Sequence, residues 1–308
     1  MKRSLLLGAM ALATLPGLGC DVCGMFMSLQ PHDRTSTIGL SWRMRYREGT
    51  YTTQGFSLAK HGGAEHATVD ARYREIYQVA DLRADLWFGQ RFALLASLPM
   101  VNNYQSVNGT TMADLHGMGD ALVIGRYLVA NTMCGPEEDR ARHRLMIGAG
   151  AKLPTGATDR PYQGETVGPD LQPGTGTVDA LGSIEYLFRK GAWGAGLNAI
   201  GRFNGVHAGY RFGHGLNLTV EAFRLFEAGP FRIMPSAGGY LELTAQDELN
   251  GEPVAGTGGP TLFTHLASRV WWRSWSIGLT WQHAVMDDEG SMMVPNRERV
   301  IIGMTYNI

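Results

Sequence analysis

Long apolar runs are missing from this sequence. Beyond the first twenty residues nothing approaches the roughly 18 uninterrupted apolar residues of a spanning helix, so helical membrane insertion is excluded. Cysteine is scarce, with 3 in 308 residues, which rules out a disulfide-stapled scaffold. Charge is sparse and balanced: 18% of residues are charged and the net charge is −1. That balance provides no electrostatic footprint for a nucleic-acid partner. Signatures of catalysis are absent too. No Gly-x-Ser-x-Gly element occurs, and the nearest approach to a catalytic set, Asp287-Asp288 close to His283, reads as an acidic loop tip. No enzymatic activity is expected.

What is present begins with a targeting pattern. Lys2 and Arg3 precede an apolar stretch from Leu5 to Leu15, followed by Pro16 and the small-residue end Gly17-Leu18-Gly19. This is the layout of a secretory signal peptide over residues 1–19. Cleavage there leaves Cys20 first. Gly17 stands where a lipidation site usually has Leu, so ordinary cleavage is expected over lipid modification. The remainder is rich in glycine and aromatics, with 41 Gly, 11 Tyr and 7 Trp, and chains of this length form one domain in sandwiches and barrels.

A period of two then runs along the chain. From Ile38 to Tyr46, large apolar groups alternate with Gly39, Ser41, Arg43 and Arg45, which predicts a strand. Ala80, Leu82, Ala84, Leu86 and Phe88 alternate with Asp81, Arg83 and Asp85. The turn Gly89-Gln90-Arg91 leads on to Phe92, Leu94, Ala96 and Leu98, a predicted hairpin. The same pattern marks strands over 120–129, 144–153, 177–188, 193–203, 215–226, 231–241, 262–270, 275–283 and 299–308. About twelve strands of barrel-spanning length result.

The connections alternate in length. Those at 46–73, 102–119, 154–176, 204–213, 244–260 and 284–296 are long, whereas those at 189–192, 227–230 and 273–274 are short. The connection at 130–143 is a long exception on the short side. Outer-membrane barrels place short turns in the periplasm and long loops outside the cell. A lipid-facing stripe excludes charge, while a lumen tolerates it. Arg43, Arg45, Asp81, Arg83, Asp85, Lys152, Asp179, Glu185, Arg202, Glu221, His265 and Arg269 all fall in phase with Gly, Ser, Thr and Asn, and are the candidate lumen-lining residues. The expected fold is all-β: a transmembrane antiparallel up-and-down β-barrel of about twelve strands over residues 35–308, in the bacterial outer membrane and in contact with its lipid.

In the last predicted strand Val300, Ile302, Met304, Tyr306 and Ile308 share one face. It resembles the C-terminal signal by which barrel-assembly machinery recognises its clients, with Ile308 in place of the more usual aromatic residue. Several Gly- and Pro-rich elements carry a wider resemblance. They are Ser97-Leu98-Pro99-Met100-Val101, Gly117-Met118-Gly119-Asp120, Lys152-Leu153-Pro154-Thr155-Gly156, Pro173-Gly174-Thr175-Gly176-Thr177-Val178-Asp179 and Arg189-Lys190-Gly191-Ala192-Trp193. Over roughly residues 90–308 the chain resembles the outer-membrane transporters grouped with the MetA pathway of phenol degradation. The resemblance implies a barrel that transports small, often aromatic or hydrophobic, compounds. It names no substrate.

Cys20-Asp21-Val22-Cys23-Gly24-Met25-Phe26-Met27 is the most unusual segment. Cys20, Cys23, Met25 and Met27 form a soft ligand set suited to Cu(I), and Cys134 lies in the predicted periplasmic connection on the same side. Against copper stand a plain Cys20–Cys23 disulfide, a leftover thiol at Cys134 and apolar plug residues at Met25 and Met27. His61, His66, His116, His207, His214 and His283 fall at or near the long loops, where a metal-capture rim competes with ordinary solvated histidines. The expected function is passage of a small solute, with residues 20–34 as a periplasmic segment or plug. A copper-linked barrel and a structural or adhesion barrel are the alternatives, separated from it by Cu(I) titration and by deletion of the loop at 50–71.

Overall fold

The computed structural model describes residues 35–52, 70–132, 140–291 and 293–308. Twelve barrel strands emerge: β1 (Thr37–Thr52), β2 (Asp70–Phe88), β3 (Phe92–Val107), β4 (Thr110–Met118, continuing as Leu122–Asn131), β5 (Arg142–Lys152) and β6 (Asp179–Lys190) form the first half. The second half is β7 (Trp193–Phe203), β8 (Gly215–Arg224, continuing as Phe226–Ala228), β9 (Phe231–Thr244), β10 (Gly259–Trp272), β11 (Trp275–Asp287) and β12 (Asn296–Asn307). Each pairs antiparallel with the next, and β12 pairs with β1 from Asn307↔Thr37 to Asn296↔Arg47. Closure leaves no sheet edge, so the backbone N–H and C=O groups inside the bilayer are satisfied within the wall.

Alternation decides which face is which. Ile38, Leu40, Leu82, Ile277, Leu279 and Ile302 are exposed on the outer face, while their neighbours Asp81, Thr280 and Ile301 are buried inside. This is an outer-membrane β-barrel with an apolar outer surface. Phe88, Phe92, Trp193, Phe231, Trp272 and Trp275 are exposed beside the short turns and form an aromatic girdle at that end. Trp275 meets Tyr306 edge-on at 4.9 Å, and the Arg224 guanidinium lies 5.0 Å over Trp193. Both contacts suit rings at a membrane–water boundary.

The long-loop end differs from expectation in one respect. Residues 102–119 are not a loop, because β3 and β4 continue upward and meet at Asn108-Gly109, with φ of 50° and 85°. Positive φ at both central positions makes the two-residue hairpin turn for which Asn-Gly is the strongest local signal. β1 and β2 likewise stay paired as far as Thr52↔Asp70. β4 is interrupted between Met118 and Leu122. Above the break it pairs with β3, and below it with both β3 and β5.

The facing of β2 makes the first prediction. Leu82→Arg places a charge against lipid and costs about 2–4 kcal/mol near the bilayer midplane, whereas Leu82→Phe is tolerated. Folding into lipid vesicles, read by the heat-modifiable gel shift, measures the difference; equal folding of the two variants would reverse the assignment of inside and outside.

Candidate functional site

The inward face is not uniformly polar. Leu95, Leu122, Ile124, Leu181 and Ile200 form a buried apolar belt inside the barrel, and Leu187, Phe223, Leu225, Met234 and Trp271 form a second at the short-turn end. Between and above these lie layers of ionised side chains. Among the described residues the interior holds cavities of about 110 Å³ and 130 Å³. Along β1, Gly39 and Ser41 line the lower cavity and Arg43, Arg45 and Arg47 the upper; along β2, Arg83 and Asp85 line the lower and Tyr77, Val79 and Asp81 the upper. The cavities therefore adjoin end to end.

The upper cavity is built around Asp120, which sits at the break in β4. Lys152 Nζ lies 2.7 Å from Asp120 and 2.9 Å from Asp179, so one ammonium serves two carboxylates. Asp120 also accepts from the backbone N–H of Gly156 at 3.0 Å, from that of Thr175 at 2.9 Å and from Thr175 Oγ1 at 2.7 Å. These bonds fasten both feet of the loop at 153–178 to the wall. The loop folds inward, where its short helical turn Pro169–Leu171 buries Leu171. Asn103 Nδ2 donates to the carbonyls of Leu171 at 3.1 Å and Gln172 at 3.2 Å.

Two more long loops contribute to the roof. Glu289, beyond β11, is drawn into the barrel by Arg45 at 3.0 Å, by Arg47 and by Thr261 Oγ1 at 2.8 Å. Arg45 and Arg299 share Glu242 at 3.2 and 2.8 Å. Asp247, between β9 and β10, accepts from Gly213 N at 2.7 Å and from the Tyr210 hydroxyl, while Tyr210–Arg211 pairs with Glu248–Leu249. Buried charges of this kind persist where each is paired and hydrogen-bonded, since desolvating a lone charge costs several kcal/mol.

The lower layer follows the same rule. Arg126 bridges Asp85 and Glu185, Arg144 reaches Glu185 at 2.7 Å, and Arg83 reaches Asp81 at 3.1 Å. Glu221 faces His265 Nε2 at 3.6 Å, and His265 Nδ1 shares a hydrogen bond with Gln282.

Of the candidate lumen residues, Arg43, Arg45, Asp81, Lys152, Asp179 and Arg202 line the upper cavity, and Arg83, Asp85, Glu185, Glu221 and Arg269 the lower. His265 is buried beside Glu221. Arg47, Glu75, Asp120, Arg126, Arg144, Glu242, Glu289 and Arg299 belong to the same layers and escaped the sequence reading. Arg47 and Glu75 lie in phase with Arg45 and Asp81, on strand extensions read as loop. Arg126 was hidden because Leu122, Ile124 and Leu128 on its own face are as apolar as Val123 and Val129 opposite.

Among the described residues, the histidines near the long loops form no cluster that could hold a metal. His207 Nε2 pairs with Asp159 at 3.0 Å, His214 Nδ1 accepts from Asn204 N at 3.0 Å and His283 pairs with Glu298 at 2.7 Å. Asp287 accepts from the backbone N–H of Asn296. No cluster of three or more His, Cys, Asp or Glu side chains able to hold a metal occurs among the described residues. Cys20, Cys23, Met25, Met27, Cys134, His61 and His66 lie outside the described residues, as do the signal peptide and segment 20–34.

Burial raises two roof carboxyls. Asp170 is pushed up to about 6, first by desolvation and then by the nearby Glu75 carboxylate, against the opposing pull of Arg47. Asp247 is raised to about 6 by desolvation, which outweighs its bonds from Tyr210 and Gly213 and the field of Arg202.

A closed barrel of twelve strands with an apolar belt outside, an aromatic girdle and a charged interior defines an outer-membrane β-barrel of the bacterial type. The chain belongs to the family described by the MetA pathway of phenol degradation, whose model matches residues 43–289. No curated protein matches the sequence. Among solved structures, an outer membrane channel from Pseudomonas putida F1 is similar, with 12% identity and a TM-score of 0.61 over 91% of this chain and 100% of that one. The beta domain of a Bordetella autotransporter aligns at 11% identity and a TM-score of 0.48, over 90% of this chain and 100% of that one. A FadL homologue from Pseudomonas aeruginosa aligns at 10% identity and a TM-score of 0.39, over 96% of this chain and 100% of that one. The first shares the fold; the other two are more distant in shape.

Two outcomes are expected from the roof. Asp120→Ala removes charge-assisted bonds from both feet of the loop and weakens its docking by about 2 kcal/mol, seen as faster proteolysis within residues 155–175 while the barrel stays folded. The second concerns pH. A carboxyl whose value is raised in the docked state favours docking when protonated, so the Asp170 contribution grows as pH falls through about 6 toward its ordinary 3.8 and is lost above 6. Amide exchange at residues 171–175, corrected for intrinsic rates, is slower at pH 5 than at pH 7.5, and Asp170→Asn removes the difference.

Proposed function

We propose that the chain is an outer-membrane channel for a small, aromatic or hydrophobic solute, and that the inward loop at 153–178 is its outer gate. The observation that carries this reading is the pair of adjoining cavities inside a closed barrel, roofed by a loop whose feet both converge on Asp120. An apolar cavity of about 150 Å³ accepts a benzene ring, so cavities of about 110 and 130 Å³ match solutes near one ring in size. Apolar lining from Val79, Val101, Leu122 and Phe212 above, and from Trp87, Leu95, Met146 and Ile301 below, supplies surface for such a body. Family membership and the likeness to the Pseudomonas putida channel agree with it. The outward apolar face of β12 is the segment that barrel-assembly machinery would recognise.

Planar-bilayer recording tests the gate. The full-length protein conducts weakly, since side chains fill the interior, and Asp120→Ala combined with Asn103→Ala raises conductance severalfold by freeing the loop. Folded wild-type and double-variant barrels that are both silent would remove the channel reading.

A further inference from the structure

Two inner arginines differ from six others. Arg45, Arg47, Arg83, Arg126, Arg144 and Arg299 each hold a carboxylate at ion-pair distance. Arg202 on β7 and Arg269 on β10 hold none among the described residues, although they are only 3% and 9% exposed. In each, Nε and Nη1 are buried without a hydrogen-bond partner. One guanidinium lines the upper cavity and the other the lower. A buried donor left unpaired is costly, and a buried cation more so.

The carboxylates whose fields reach them are already engaged. Glu242 acts on Arg202 through its field, yet its oxygens receive Arg45 at 3.2 Å, Arg299 at 2.8 Å and the Tyr240 hydroxyl at 2.8 Å. Asp247 acts on it likewise and is occupied by Gly213 N and Tyr210. Glu221 acts on Arg269 but faces His265 and Ser236, while the Trp271 ring lies 5.7 Å from the guanidinium and supplies no lone pair.

We propose that Arg202 and Arg269 are two successive binding stations for the carboxylate of a small monoanionic organic acid, whose apolar body is no larger than one aromatic ring. A planar guanidinium matches a carboxylate in shape and charge. One guanidinium without a carboxylate in each cavity suits a ligand of single negative charge. The apolar lining beside each arginine disfavours a hydrated inorganic anion and suits a hydrocarbon body. The proposal deepens the channel reading and rests on it for the statement that such an acid is the solute; the two sites themselves stand on the cavities and the unpartnered guanidinium groups.

The test is calorimetric titration of the full-length protein in lipid nanodiscs at pH 7.5 with benzoate, with its neutral isostere benzamide and with inorganic phosphate. Wild type binds benzoate about tenfold or more tightly than benzamide, and phosphate more weakly than benzoate. Arg202→Gln and Arg269→Gln each lose one benzoate site, or weaken it about tenfold, without changing benzamide binding. Both variants fold at least as well as wild type in the heat-modifiable gel shift, because the lost charge had no partner to abandon. Arg202→Lys and Arg269→Lys retain part of the benzoate preference. Equal binding of benzoate and benzamide by wild type would overturn the proposal whatever the variants do. So would benzoate binding left intact in both glutamine variants, or phosphate binding as tightly as benzoate. Benzoate binding without any conductance ends the channel reading and leaves the stations standing; conductance without benzoate preference ends the stations alone.

Discussion

Closure of β12 onto β1 is the constraint on which the rest depends. Once the sheet has no edge, every strand has one face against lipid and one face inside. Charges cannot occupy the lipid-facing surface, so those within the membrane-spanning part of the wall are driven inside. Arg45, Arg47 and Arg299 with Glu242 and Glu289, and Arg126 and Arg144 with Glu185, are the consequence: arginines from one wall meet carboxylates from others, often from strands far apart in sequence. Such pairs stabilise weakly in themselves, because desolvation offsets most of their attraction, yet breaking one strands its partner. They tie the walls to each other across the interior.

The same pressure shapes the outer end. A barrel with a polar mouth has to decide where its loops go, and here they are pulled inward by the charges they meet. Asp120 reaches both feet of the loop at 153–178, and Arg45 and Arg47 capture Glu289. The roof and the ion-pair layers are therefore one system. Movement of the loop would rearrange the hydrogen bonds of the upper layer, which ties the proposed gate to the charge state of Asp170 near Glu75.

Legibility from sequence followed the period of two. Where one face was apolar and the other charged, as in Ala80–Phe88 with Asp81, Arg83 and Asp85, strand, facing and inner charges could all be read. Where both faces were apolar, as around Leu122–Leu128, the strand was visible and Arg126 was not. The Asn108-Gly109 turn carried a strong hairpin signal, but the strand extensions leading to it contain Asn102, Asn103 and Gln105, whose polarity resembles a loop. Inner apolar residues were missed altogether, since an apolar inner belt leaves the same mark on the pattern as an outer one.

The sequence by itself determined the class of fold, the number of strands and which face of most of them meets lipid, because those properties arise from neighbours two residues apart and from the cost of charge in hydrocarbon. Tertiary structure alone decided that the interior is filled in layers rather than open, that the loop at 153–178 folds in upon Asp120, and that Arg202 and Arg269 hold no carboxylate among the described residues. Those outcomes depend on barrel stagger and on which strands face one another across the lumen, distances set by closure and carried by no local pattern.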